Sequence, residues 1–189
     1  TYVGELGWEL YVPVECAVPV YRKLIEEGAA FDIRAAGYYA IESLRLEKGY
    51  RAWGLDVTPD YTSYEAGLGF AVSIDKGVDL IGREALLRQK EEGIKRRLVQ
   101  FTIDNPDAIA WGKELILRDG EAVGEVSSAA YGHTLGHAVA LGYIVHADKV
   151  VDRTFIETGH FEIDIGGDLF AATAHLRPAY DPKSRRIRA

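Results

Sequence analysis

From Arg97 onward the chain is cut by turn residues into short apolar segments, and this punctuation limits the folds open to it more than any other feature. Arg97–Ile103, Glu114–Arg118, Ala122–Ser128, Val139–Val145, Thr154–Glu157, Phe161–Ile165 and Leu169–His175 each have strand length and strand composition. Arg118-Asp119-Gly120-Glu121 and Ile165-Gly166-Gly167-Asp168 supply the positive φ angles that tight hairpins need. Several short strands at near-regular spacing predict a small barrel or jelly roll.

Upstream the pattern is mixed. Trp8–Val14 partly alternates and reads as a strand that Pro13 brings to an end. A helix is expected over Val18–Gly28, with Pro19 tolerated near its first turn and Gly28 as a stop. A second helix is expected over Tyr38–Glu47, with Gly49 just beyond it. Gly54–Thr62 reads as loop, Leu68–Ile74 as a strand, and Gly82–Lys90 as a short helix ending near Gly93. The change in pattern puts a boundary at about residue 94, giving a mixed α/β part over 1–94 and a β-rich domain over 95–189, α+β in class.

Composition narrows the function. A net charge of −7 and the lack of any basic run beyond Arg185-Arg186-Ile187-Arg188 argue against a nucleic-acid partner. The lone Cys16 rules out an internal disulfide and a cysteine-rich zinc site, and it fits a reducing compartment. No apolar stretch nears the ~20 residues that span a bilayer. The absence of methionine and the opening on Thr1 predict a portion of a longer polypeptide. Gly67-Leu68-Gly69 lacks the third glycine of a dinucleotide fingerprint, and there is no phosphate-cradling Gly-Lys-Ser/Thr loop and no serine elbow.

The ordered motifs are more specific. Thr1-Tyr2-Val3-Gly4-Glu5-Leu6-Gly7-Trp8-Glu9 is followed by Ser43-Leu44-Arg45-Leu46-Glu47 and Lys48-Gly49-Tyr50-Arg51-Ala52-Trp53-Gly54-Leu55-Asp56. Tyr64-Glu65-Ala66-Gly67-Leu68, Ile81-Gly82-Arg83-Glu84-Ala85-Leu86 and Ala130-Tyr131-Gly132-His133-Thr134-Leu135-Gly136 come next. In this order, over essentially the whole chain, the set resembles the folate-binding aminomethyltransferase (glycine cleavage T-protein) family. The likeness is greatest to the C-terminal region of the dimethylglycine and sarcosine dehydrogenases.

That resemblance implies the C-terminal part of a folate-binding aminomethyltransferase fold, followed by a small β-barrel or jelly-roll-like domain. It implies tetrahydrofolate as cofactor, with Tyr2 and Glu9 at the family's spacing for holding the pterin. A carboxylate can accept in parallel from the pterin's exocyclic amino group and its neighbouring ring N–H. On residue type alone Glu9 reads as a solvent-facing strand residue, and only the resemblance favours the pterin role. Glu5 ranks behind it, and Tyr50 and Trp53 are candidate aromatic walls of the pocket. The family's catalytic aspartate is implied to lie in an N-terminal half outside this chain. Asp56 and Asp60 sit in no matching motif, so the catalytic residues are left unassigned. FAD is implied only for a separate N-terminal domain in the dehydrogenase branch.

Other residues carry weaker expectations. Arg45, three residues after Glu42, is expected to form an ion pair that organises the Lys48–Asp56 loop. Where glycine-cleavage members carry an arginine suited to folate's glutamate tail, this chain has Ile41, which leaves Arg51 as an alternative tail partner. Glu65 is expected to cap or hold its loop. His133 and His137 straddle a turn where helical i,i+4 metal geometry does not apply, so no metal is expected and His133 reads as a turn-fixing residue.

The implied activity is one-carbon transfer from a small methylated amine to tetrahydrofolate, forming 5,10-methylenetetrahydrofolate, with this chain inactive alone. The implied location is the cytoplasm, or the mitochondrial matrix in a eukaryote, with no membrane partner. Two alternatives stay open: a non-catalytic regulatory or interaction module on the same scaffold, and a tetrahydrofolate-dependent demethylase.

Overall fold

The computed structural model describes residues 1–188. Three helices come first, α1 (Val14–Gly28), α2 (Tyr38–Glu47) and α3 (Arg83–Glu92). Six strands follow, β1 (Arg96–Ile103), β2 (Leu115–Arg118), β3 (Glu121–Gly132), β4 (His137–Val145), β5 (Phe161–Ile165) and β6 (Asp168–His175), with a short helix α4 (Arg153–Glu157) before β5. The strands close into an antiparallel barrel in the order β1-β4-β3-β2-β5-β6, and β6 returns to pair with β1.

Alternation along the strands fills the interior. Val99, Phe101 and Ile103 of β1 meet Ile116, Val126, Ala140, Ile144, Phe161 and Ile163 there. Phe155 and Ile156 of α4 join the same core. β4 is buried from Ala138 through Ile144 because both its faces are covered. Its outward-facing Val139, Leu141 and Tyr143 pack with Leu98 and with Leu46 of α2. The barrel wall is thus the surface on which α2 rests.

Three sequence expectations are corrected. Trp8–Val14 forms no strand: it pairs with no neighbour, and Pro13, at φ −56°, leads directly into α1. Leu68–Ile74 contains only a 3₁₀ turn over Gly69–Ala71, since Gly67 at φ +68° bends the chain away from extended geometry. Thr154–Glu157 is helical, because the Asp152 side chain accepts the Phe155 N–H at 2.8 Å and caps the turn.

A buried polar cluster joins the helical part to the barrel. Asp56 is fully buried, and its carboxylate accepts from Arg45 Nη1 at 2.6 Å, from the Ala52 N–H at 2.9 Å, from Ser128 Oγ at 2.6 Å and from Ser127 Oγ. Adjacent strand residues normally point to opposite faces. Here the β3–β4 register shifts between Val126 and Ser128, leaving Ser127 as the extra residue of a β-bulge, so both serines reach one carboxylate. Tyr143 completes the lock by donating its hydroxyl to the Asp56 carbonyl at 2.9 Å. Burial opposes the Arg45 charge, but Asp56 and Glu42 outweigh it and raise its pKa.

The C-terminal segment folds back on α2. Gln100 donates to the Leu46 carbonyl at 2.6 Å and accepts the Ala179 N–H at 2.7 Å. The Tyr180 N–H reaches the Glu47 carbonyl at 3.2 Å. Buried Lys48 donates to the Asp181 carbonyl at 2.7 Å and to its carboxylate at 2.9 Å.

Removing one member of a buried charged pair strands the other. Asp56→Ala is therefore expected to cost about 3–5 kcal/mol in denaturant unfolding, and a loss under about 1 kcal/mol would contradict the lock. Asp181 yields a pH effect. Desolvation raises its pKa, but the Arg185 N–H, Lys48 and the Arg186 N–H prevail and bring it from 3.8 to about 2. The stability it contributes is fully present above the ordinary value and disappears as pH falls through about 2. The stability gap between wild type and Asp181→Asn should therefore be constant above about pH 5 and close between about pH 4 and pH 2.

Candidate functional site

The N-terminal loop lies against the segment that follows α2. Gly4, at φ +79°, packs so closely on the Lys48 stem that an added Cβ would sit 2.8 Å from Lys48 Cγ. Leu6 donates its N–H to the Arg186 carbonyl at 3.1 Å, and the Tyr180 hydroxyl donates to the Glu5 carboxylate. Glu5, the second-ranked pterin candidate, is therefore engaged with the C-terminal segment.

Tyr2 and Tyr50 are brought together. Their rings lie nearly parallel, 16° apart in plane, with centroids separated by 6.1 Å. The Tyr2 hydroxyl donates to the Arg51 carbonyl at 3.1 Å, which fixes the ring against the loop. Partial burial raises the Tyr2 pKa, which the Arg45 charge lowers and the Glu42 and Asp56 charges raise. Partial burial, with the Asp181 charge behind it, likewise raises that of Tyr50. The buried ion cluster thus reaches electrostatically to Tyr2.

The remaining candidates lie further out. Glu9 is exposed, and its carboxylate accepts the Tyr11 hydroxyl at 2.8 Å. Trp53 is exposed on the turn that Asp56 braces from within. Arg51, the alternative tail partner, is engaged within the chain. Its guanidinium donates to the carbonyls of Gly49 at 2.8 Å and Ala66 at 3.0 Å, so its donors organise the loop. Burial lowers its pKa.

Glu65 holds its own loop, accepting the Thr62 N–H at 2.9 Å and pairing with Arg96 at 3.1 Å. The turn between β3 and β4 is held by Glu47, whose Oε1 accepts the N–H groups of Thr134 at 2.7 Å and Leu135 at 2.9 Å. His133 packs edge-on to Tyr131 instead.

Asp56, Lys48 and Glu47 carry most of the polar order around this site, and sequence reasoning missed all three. Their types are those most often exposed. The available signal was the Arg45–Glu42 spacing, since a buried arginine needs a further anion.

Comparison with known proteins accounts for both parts of the chain. Residues 1–76 match the GCVT N-terminal domain, and residues 96–181 match the glycine cleavage T-protein C-terminal barrel domain. The chain is 40% identical over its whole length to human mitochondrial sarcosine dehydrogenase, of which it covers 20%. It is 42% identical, over 94% of its length, to the mouse mitochondrial pyruvate dehydrogenase phosphatase regulatory subunit, of which it covers 21%. The structure of the glycine cleavage system aminomethyltransferase T from Bartonella henselae superposes with a TM-score of 0.79 and 26% identity, over 96% of this chain and 48% of that one. The chain therefore spans about a fifth of these two curated relatives and about half of the solved aminomethyltransferase. With both parts matched and a closed barrel of the expected kind, the chain belongs to the glycine cleavage T-protein family.

Proposed function

We propose that this chain is the tetrahydrofolate-binding portion of a longer aminomethyltransferase-like enzyme. The observation that carries the reading is the Tyr2–Tyr50 pair, held parallel with Tyr2 hydrogen-bonded to the Arg51 carbonyl. Two fixed, flat rings at the edge of a buried ion cluster suit a planar heterocycle. Glu9, one carboxylate held by Tyr11, has acceptor capacity left for the two parallel donors of a pterin edge. Trp53, exposed on the neighbouring turn, supplies a further aromatic surface.

When bound, tetrahydrofolate supplies the nitrogens that accept a one-carbon unit at the iminium level. The residues of this chain contribute positioning: Tyr2 and Tyr50 set the ring plane, Glu9 sets its rotation, and the Arg45–Asp56 lock keeps the loop that carries Tyr50 fixed. The domain limits of 1–94 and 95–189, the methylated-amine donor, the flavin domain of the dehydrogenase branch and a matrix or cytoplasmic location belong to this same reading. Among the described residues, no helix is long and apolar enough to cross a membrane.

A regulatory role is the second reading, favoured by the 42% identity to a phosphatase regulatory subunit. Calorimetric titration with 5-formyltetrahydrofolate separates the two. The chain is expected to bind, and Glu9→Ala to weaken binding about 10- to 100-fold as charge-assisted hydrogen bonds are lost. Because Glu9 is exposed, the variant's melting temperature should stay within about 1 °C of wild type. Equal affinity in the variant would remove Glu9 from the site. No binding by the folded chain would favour the regulatory reading.

A further inference from the structure

Helix α3 ends shortly before β1, and the bend between them leaves a cavity. Gly93, at φ +81°, ends the helix, and an added Cβ there would sit 2.8 Å from Val150 Cγ1. The Val151 N–H donates to the Ile94 carbonyl at 2.8 Å and fixes the segment that leads into α4. Between this bend, the loop that carries Tyr64 and the last turn of α3 lies a cavity of about 480 Å³. Tyr64, Ile94 and Val150 line it, together with Gln89, Lys90 and Arg97. This volume falls within the range of small-molecule sites.

The cavity and the tyrosine pair lie on opposite faces of β1. Side chains alternate along a strand. Leu98 and Gln100 face α2, where the Gln100 amide donates to the Leu46 and Glu47 carbonyls. Arg97 belongs to the other set, with Val99 and Phe101 of the barrel interior, and it pairs across to the interior residue Ile144. Its Nε donates to the Val151 carbonyl at 2.7 Å, which places it at one end of the barrel. None of Tyr2, Tyr50, Glu9 and Trp53 lines the cavity.

The polar groups there are only partly used. Nε is the one guanidinium nitrogen of Arg97 that hydrogen-bonds among the described residues, so both terminal nitrogens keep their donors. Burial lowers the Arg97 pKa, against the raising charge of Asp152, and a cation so placed gains from a further anion. Lys90 forms no ion pair among the described residues, and Asp152 is the single carboxylate in the lining. Two cations against one anion leave a positive surplus. Gln89 Oε1 is buried without a hydrogen-bond partner, so an acceptor waits beside the donors.

This set of groups narrows the ligand. The two terminal nitrogens of Arg97 form a fork for two oxygens, and the Lys90 ammonium calls for a third. A carboxylate has two oxygens, whereas a phosphate monoester has three terminal ones. Ionised phosphate oxygens only accept, so the partner of Gln89 Oε1 must be an O–H elsewhere on the molecule. Tyr64, Ile94 and Val150 offer apolar surface to the carbon skeleton.

We propose that this cavity binds a small organic phosphate monoester bearing a hydroxyl group. Arg97 and Lys90 hold the phosphate, and Gln89 accepts from the hydroxyl. The site stands independently of the folate reading.

The test is calorimetric titration of the 189-residue chain with glycerol 3-phosphate, set beside glycerate, which carries hydroxyls and a carboxylate but no phosphate. Arg97→Gln and Lys90→Gln serve as variants. Lys90 is exposed, so its replacement leaves the fold intact and decides the matter should Arg97→Gln, which loses the Val151 contact, fail to fold. Saturable binding of glycerol 3-phosphate is expected, at least about fivefold tighter than that of glycerate, about tenfold weaker in Arg97→Gln and about threefold weaker in Lys90→Gln. Saturating 5-formyltetrahydrofolate should leave that affinity unchanged. No saturable binding of the phosphate ester overturns the proposal, as does equal binding of glycerate or competition by the folate. So does an affinity unchanged in either variant whose thermal melt matches wild type.

Discussion

One carboxylate holds this structure together. Asp56 gathers donors from α2, from its own loop and from two successive residues of β3, while its carbonyl takes the Tyr143 hydroxyl of β4. The two halves of the chain therefore do not merely rest on each other through Leu46 and Leu98. Apolar contacts would allow sliding, since they have no direction. A carboxylate with four donors at fixed angles does not, because any shift leaves a buried polar atom unpaired. The bulge at Ser127 is the backbone adjustment that makes this convergence possible.

The tyrosine pair inherits its position from that cluster. Arg45 donates to the Tyr50 carbonyl at 3.0 Å as well as to Asp56. The loop from Lys48 to Asp56 is thus pinned at its middle by Arg45 and at its end by the barrel. Arg51 pins it a third time, through the Gly49 and Ala66 carbonyls. A site assembled in this way is rigid where it meets the barrel. It is open where Glu9 and Trp53 reach outward.

Much of the fold was legible in the residues, for identifiable reasons. The Asp119-Gly120 and Gly166-Gly167 turns marked hairpins because glycine meets their positive φ angles cheaply, and Asp119 shares the left-handed geometry. Tyr38–Glu47 was visible as a helix because Ile41, Leu44 and Arg45 fall at helical spacing and Gly49 follows it. Strand length and apolar content, by contrast, misled at Trp8–Val14 and Leu68–Ile74, since a strand exists only with a pairing partner and neither segment has one. At Thr154–Glu157 the β-branched composition lost to a single capping aspartate. The roles of Lys48, Glu47 and Asp56 were hidden for another reason: each bonds groups distant in sequence, such as Asp181, Thr134 and Ser128. In the candidate site, proximity of Tyr2 and Tyr50 was inferable only through the family likeness, because no local pattern links residues so far apart.

Closure of the barrel also governs how other molecules can meet this chain. β6 pairs with β1, so among the described residues every strand of the ring has a neighbour on both sides and none is a terminal edge strand. A partner adding a strand of its own, the route that makes recognition tolerant of partner sequence, finds no terminal edge strand to extend. Contacts must instead be made by side chains, on the face of α1 or at the aromatic positions around α2. Recognition of this chain is accordingly a matter of shape and chemical identity, and slippage by a residue or two, common when backbones zip together, is denied to it.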